Sequence, residues 1–403
     1  MKLLIVGFNA RPIAKSAMKA GHSIGVIDYF GDMDLLKLTR NCFSVLRQKP
    51  GKTLHRPLHR KPAEYMYILS EIMCDEQGDF DGILLGSSFD PYPEFIKAFN
   101  KLGPKVYANS PAKFELVRNK EKINILAKEA GFSIPKLKTV KDYNEVIKIA
   151  KKWGYPIVTR EDGGGGGAGI RLWMNAEEIK KHFQEKEDER IIWVQEYIKG
   201  IDASASVICS ENEFRLLSLN KQLIGDKNLG APGAFSYCGN IVPLENKIIN
   251  VKNYEQLYGK IKALFSKLNL IGTNGLDFVL KDDKFYFMEI NPRFQGSLEC
   301  IQYATEVNVV KAHLDSFNDN INYLNKNPKY KRASIKGILF SNSEKNFLVK
   351  KYPDTEWIVD RTHYNVLLEN TDPFCSIVLP TNNIQKGQKM VYTLAKKIMK
   401  MNQ

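Results

Sequence analysis

No stretch of this chain stays apolar for the ~18 residues that a helical membrane span requires, which argues against a membrane protein. The opening MKLLIVGFNARPIAK has too short an apolar core, cut by Arg11 and Lys15, for a secretory leader, and it reads as a first strand. Cysteine is sparse: Cys42, Cys74, Cys209, Cys238, Cys300 and Cys375 stand singly, without the paired spacing of a zinc or redox site. Free thiols and a cytoplasmic location are therefore expected. The first turn, after Gly7, lacks the further glycines of a dinucleotide fingerprint, which disfavours NAD. Asn9 and Arg11 in that turn are candidates to meet an anionic substrate, with a ligand-free helix start as the alternative. Acidic residues are missing between Asp34 and Glu64, where Lys37, Arg40, Arg47, Lys49, Lys52, Arg56, Arg60 and Lys61 leave a positive field. That run matches no nucleic-acid-binding module, so a solvated or substrate-steering surface is preferred and nucleic acid is disfavoured as a partner. His55 and His59 have the spacing of metal ligands on a helix, but Pro57 between them speaks against the helix.

What is present is 403 residues of ordinary globular composition, enough for roughly two to three domains, with a net charge of +14 that favours anionic partners. Strand Leu3 to Gly7, helix Ala10 to Lys19 and strand His22 to Ile27 open a βαβ unit, and Ile83 to Asp90 and Val106 to Asn109 supply further strands with polar ends. Pro111 to Gly131 reads as one helix with a glycine stop. Two apolar strands, Pro156 to Thr159 and Ile170 to Trp173, flank Gly163 to Gly169, in which six of seven residues are glycine. A linker is one reading of such a run; a hairpin loop that presses backbone N–H groups onto phosphates fits its place between strands better. No Gly-Lys-Ser/Thr follows, so it is not a Walker loop. Gly225 to Gly239 is rich in Gly, Asn and Pro and is expected to be a mobile lid. Lys386 to Met401 reads as an amphipathic helix with solvated lysines, whose stripe a β-rich C-terminal region would cover.

The most informative stretch is Asp277 to Ser297. Leu276, Phe278 and Leu280, then Phe285, Phe287 and Ile290, make two strands of a hairpin around a Lys-Asp-Asp-Lys turn. If Asp277 and Glu289 lie side by side, with Asn291 they form a hard-oxygen set suited to Mg²⁺, and Arg293 adds a fixed positive charge. A surface hairpin with solvated acids is the plainer alternative.

Taken in order, these pieces resemble the ATP-grasp superfamily, in its biotin-carboxylase-like and carbamoyl-phosphate-synthase-like branch. The resemblance covers roughly residues 1–330. It rests on Lys120 ahead of the Gly131 to Pro135 segment, on Tyr155 to Arg160 followed by the glycine run, on Gln195 to Ile198 with Asp202, and on the acid, twelve positions, acid-x-Asn-x-Arg register of Asp277, Glu289, Asn291 and Arg293. It implies an α/β and α+β protein: an N-terminal open parallel-sheet domain (1–110), an ATP-grasp domain (111–330, small lobe about 135–196, large lobe about 197–330), and a small β-rich C-terminal region (331–403). The ATP contacts it implies are Lys120, Arg160, Gly163, Gly164, Gly165, Gly166, Gly167, Ala168, Gly169, Gln195, Glu196, Tyr197, Ile198, Asp202 and Lys221. Arg160 stands where the pattern has lysine, keeping the charge on a planar head. Asp277, Glu289 and Asn291 are the implied ligands of Mg²⁺, with Mn²⁺ as a substitute, and Arg293, Gly296 and Ser297 the implied catalytic positions. In biotin carboxylase a Gln and a Glu follow the arginine; here Gln295 is kept and Gly296 and Ser297 follow. That ending resembles amide ligases. The expected activity is ADP-forming carboxylate–amine ligation through an acyl phosphate on small-molecule substrates, in an assembly that a homodimer would suit but is not required to be. A carboxyphosphate-forming carboxylase or synthetase and a catalytically weakened ATP-binding regulator are the alternatives.

Overall fold

The computed structural model describes residues 1–54, 56–57, 59–161, 165–184, 192–341 and 347–402. The N-terminal segment runs β1 (Lys2–Gly7), α1 (Arg11–Lys19), β2 (Ser23–Asp28), α2 (Met33–Leu38), β3 (Cys42–Ser44), α3 (Pro62–Gln77), β4 (Gly82–Leu85), α4 (Pro93–Phe99) and β5 (Lys105–Tyr107). All five strands are parallel, in the order β3-β2-β1-β4-β5. Leu3 to Val6 are fully buried, as expected of a parallel strand covered on both faces. The chain leaves β1 toward one edge and β4 toward the other, so a crevice opens where their C-terminal ends diverge.

The stretch read as one helix is two. α5 (Pro111–Arg118) stops at Asn119, whose backbone is extended and whose side chain accepts from the Lys122 N–H to start α6 (Lys120–Glu129). The Asn cap supplies a partner for an N–H that a helix start leaves orphaned, and it sets Lys120 at the first helical position. There follow β6 (Leu137–Val140), α7 (Tyr143–Trp153), β7 (Ile157–Glu161), β8 (Ile170–Trp173), α8 (Ala176–Gln184) and β9 (Ile192–Glu196), with the strands in one antiparallel sheet ordered β6-β9-β7-β8.

The rest of the chain builds the largest sheet. Its elements are β10 (Ile201–Cys209), β11 (Phe214–Ile224), β12 (Tyr237–Val242), α9 (Val251–Leu268), β13 (Gly272–Lys281), β14 (Lys284–Asn291), α10 (Leu298–Thr305), α11 (Val309–Ser316), β15 (Ala333–Phe340), β16 (Phe347–Leu348), β17 (Ile358–Val359), β18 (Leu367–Leu368), β19 (Pro373–Thr381) and α12 (Ile384–Asn402). Eight strands line up as β14-β13-β10-β11-β12-β15-β19-β17. The C-terminal strands thus continue the sheet instead of standing apart from it, because β12 pairs its open edge with β15 from Gly239–Gly337 to Val242–Ser334. α12 buries Val391, Ala395 and Ile398 against this extension, while Met390 stays exposed. One face of the sheet is apolar: Leu276, Phe278, Leu280, Phe285, Phe287 and Ile290 pack with Leu257, Ile261, Leu264 and Leu268 of α9. Period-two alternation then turns Asp277 to the other face. Among the described residues, no helix is long and apolar enough to cross a membrane.

Candidate functional site

The hairpin β13–β14 brings its two acids together as expected. Asp277 and Glu289 are cross-strand partners, followed by a bulge between Asp277 and Phe278. Such a bulge re-aims side chains at a strand end. Asn291 Nδ2 donates to Asp277 Oδ2 at 3.2 Å, and Gln222 Nε2 of β11 donates to Asp277 Oδ1 at 3.1 Å. Burial, then the negative charge of Glu289, push the Asp277 carboxyl up to about 8. Burial works the same way on Glu289, but Arg160 and Lys120 outweigh it and hold that carboxyl down at about 2. Two adjoining carboxyls, one of them raised first by burial and then by its neighbour's charge, with an amide beside them, are a donor set suited to a divalent cation. Mg²⁺ fits these residues. Among the described residues there is no cluster of three or more His, Cys, Asp or Glu side chains, so the amide is needed as third ligand.

Cations surround the acids. Arg160, on β7 of the small sheet, reaches across to the large one and places Nη2 3.1 Å from Glu289 Oε2. Lys120 is partly buried, with Nζ donating to the Met288 carbonyl at 3.2 Å. Burial and then the neighbouring Arg160 lower its ammonium to about 8. Arg293 donates from Nη2 to Asn291 Oδ1 at 3.1 Å, from Nη1 to the Phe294 carbonyl at 2.9 Å, and from Nε to both oxygens of Asp90 at 2.9 and 2.7 Å.

The remaining positions divide. Gln195 and Glu196 end β9 at the junction of the two sheets, with Gln195 Nε2 3.5 Å from Met288 Sδ and Glu196 bonded to the Lys136 backbone through both its N–H and its carboxylate. Tyr197 lies edge-on to Phe235 at 6.2 Å, and Ile198 is buried. Asp202 is raised by burial, with Lys221 opposing from the neighbouring strand. Gly163 and Gly164 lie outside the described residues; Gly165, Gly166, Gly167, Ala168 and Gly169 form the tip of the β7–β8 loop. The Tyr237 N–H donates to the Gly166 carbonyl at 3.1 Å, and a Cβ on Gly167 would stand 1.9 Å from the Phe235 carbonyl oxygen. The glycine loop therefore rests on the Gly225 to Gly239 stretch, which only glycine at 167 permits. That stretch contains a short helical turn, Lys227–Leu229, and ends as β12 from Tyr237 onward. Gly296 backs onto the Tyr237 ring, and Ser297 turns its hydroxyl into the sheet, 3.2 Å from Ser206 Oγ.

Arg11 is not free to meet a substrate. Its guanidinium is buried between Glu299, at 2.9 and 2.5 Å, and Asp360, at 2.6 Å, with Asp34 at 3.2 Å. Sequence reading missed Asp90, Gln222 and Tyr237. Alternation along β11 could have placed Asn220 and Gln222 on the site face, whereas the pairing of Asp90 with Arg293 spans 203 positions and leaves no local signal.

Residues 117–297 match the ATP-grasp domain family. The chain carries an ATP-grasp domain over these residues. An uncharacterized protein of Methanocaldococcus jannaschii is 26% identical over 386 residues, 95% of this chain and 89% of that one. The carbamoyl phosphate synthase large chain of Campylobacter jejuni is 20% identical over 63% of this chain, which spans 23% of that protein's length. The solved biotin carboxylase domain of Hydrogenobacter thermophilus 2-oxoglutarate carboxylase, a dimer in complex with MgADP, ADP and bicarbonate, superposes with a TM-score of 0.73 over 97% of this chain and 89% of that one, at 15% identity. This last likeness is one of ATP-grasp fold. The layout fits the biotin-carboxylase-like branch, with a parallel-sheet domain ahead of the ATP-grasp sheets.

Proposed function

We propose that the protein is an ADP-forming carboxylate–amine ligase that works through an acyl phosphate on small-molecule substrates. Lys120, Arg160 and the N–H groups of the glycine loop hold the ATP phosphates, the Gln195 to Ile198 segment meets the adenine edge, and Asp202 and Lys221 lie toward the ribose. Asp277, Glu289 and Asn291 would hold Mg²⁺, which would supply neutralisation of the phosphate charge. Arg293 orients the substrate carboxylate and stabilises the negative oxygen that develops when the amine attacks.

The observation that carries the choice of amine over bicarbonate is Ser297. The position where biotin carboxylase has an acid holds a hydroxyl that faces Ser206 inside the sheet and is 4% exposed, leaving no carboxylate at that point to act on bicarbonate. ADP release is measured with ATP and Mg²⁺ and three additions: bicarbonate alone, a pool of carboxylic acids, and that pool with amines. Release dependent on the acid pool and quickened by amines is expected; release dependent on bicarbonate alone sinks the reading.

A second reading rests on Arg160, whose guanidinium is already engaged by Glu289. In a nucleotide-binding regulator this pair would persist with ATP bound. Calorimetry showing ATP binding without turnover, with turnover appearing in Arg160→Lys, selects it.

A further inference from the structure

Asp90 belongs to the N-terminal sheet domain, yet its carboxylate meets the arginine of the reaction centre, and the loop that carries it has three unusual features. It leaves β4 at the point where β1 and β4 diverge, the crevice in which open α/β sheets take their ligands. Gly7 and Gly86 end those strands so closely that a Cβ on Gly7 would lie 3.2 Å from Gly86 Cα, and the Phe8 N–H donates to the Ser87 carbonyl at 3.2 Å. Ser88 sits at φ +104°, a conformation disfavoured for any side-chain-bearing residue and typical of loops held in place for function. The product of this geometry is a carboxylate fixed against Arg293 Nε and still one-fifth exposed.

Arg293 has its Nη groups bonded to Asn291 and the Phe294 carbonyl, and its Nε to Asp90. Each oxygen of Asp90 accepts one bond from Nε and keeps a lone pair for another donor. A nucleophile that attacks a carbonyl held by Arg293 must stand next to that guanidinium, and Asp90 is the anionic group there. We propose that Asp90 is the recognition group of an ammonium-binding subsite, and that the crevice between Phe8, Ser87 to Asp90 and Arg293 takes the acceptor as a protonated primary amine, which gives one proton to water before its nitrogen lone pair attacks. The assignment rests on the ligase reading for its place in the reaction, but not for binding. It names the acceptor class: a cationic primary amine, in preference to a neutral amide or an anion.

Two measurements on the full chain keep the subsite and the ligase reading apart. In the first, protein labelled with ¹⁵N-arginine is titrated with ethylammonium chloride and, separately, with sodium chloride, with Arg293→Lys used to assign the Arg293 Nε–H resonance. A saturable shift with ethylammonium alone, absent in Asp90→Asn, is expected. The same response to both salts overturns the subsite whether or not the protein is a ligase. In the second, a carboxylic acid that supports ADP release is paired with ethylamine or with hydroxylamine, which is largely uncharged near neutrality. The loss in Asp90→Asn is expected to be about tenfold or more greater with ethylamine, expressed in the KM for the amine, as removal of one charge-assisted contact requires. Asp90→Glu is expected to recover part of it. Equal losses with the two acceptors overturn the subsite, whereas no ADP release with any acid sinks the ligase reading and leaves the titration to decide the subsite.

Discussion

Replacing Arg11 with methionine tests whether the N-terminal, ATP-grasp and C-terminal parts are held together by one buried charge. The Arg11 side chain is 4% exposed and bridges Glu299 on α10 and Asp360 just after β17. Burial raises all the carboxyls around it, but Arg11 more than offsets this at Glu299 and Asp360, which lie below their ordinary values. Asp34, at the longer 3.2 Å contact and beside Asp360, stays raised by burial. Removing one partner of a buried pair and leaving the other charged costs ~3–5 kcal/mol. Lys336, 3.8 Å from Asp360, and Lys15, 3.9 Å from Glu299, compensate part of that. The expected loss is therefore about 3 kcal/mol, a large share of the ~5–15 kcal/mol of a folded domain. Its pH dependence has a definite sign. Depressed carboxyls stabilise the native protein above their unfolded values, and this stabilisation is lost as pH falls through the folded ones. In Arg11→Met those carboxyls rise and take up protons in the folded state, so the deficit is greatest near pH 8 and narrows toward pH 5. Urea unfolding at the two pH values measures it, and Arg11→Met with Glu299→Gln should recover part of the loss. A deficit below about 1 kcal/mol, or one equal at both pH values, refutes the reasoning.

Further expectations concern the site. Lys120 is an ammonium only below about 8 in the free protein, so the KM for ATP should climb as pH passes that value, and Lys120→Arg should flatten the climb. Asp277→Asn should lower Mg²⁺-dependent turnover about a hundredfold, as loss of several kcal/mol of metal assistance implies, while nucleotide binding followed by fluorescence persists; turnover within threefold of wild type would be contrary. Gly167→Ala places a Cβ 1.9 Å from the Phe235 carbonyl at φ +90°, so the glycine loop should part from the 225–236 stretch, seen as faster proteolysis there and a higher KM for ATP, with the unfolding midpoint little changed.

Legibility in the sequence followed locality. The hairpin was readable because alternation of Leu276, Phe278 and Leu280 fixes which way Asp277 points, and twelve positions fix its partner Glu289. The parallel opening was readable from its uniformly apolar strands. α9 is legible too, since Leu257, Ile261, Leu264 and Leu268 recur at helical spacing. The break at Asn119 was hidden because apolar periodicity carries through it, although the Asn is a cap signal. Arg11 looked like a ligand-binding cation because its counter-charges lie 288 and 349 positions away. Asp90 went unnoticed for the same reason. Contacts between distant segments write no local pattern, and here they lock Arg11 among buried carboxylates and set Arg293 against Asp90.

The central claim is transfer of a carboxylate oxygen to phosphate. Turnover of ATP with an ¹⁸O-labelled carboxylic acid that supports ADP release, with mass spectrometry of the phosphate formed, tests it directly. An acyl phosphate leaves one labelled oxygen in each phosphate released. Unlabelled phosphate would contradict the account.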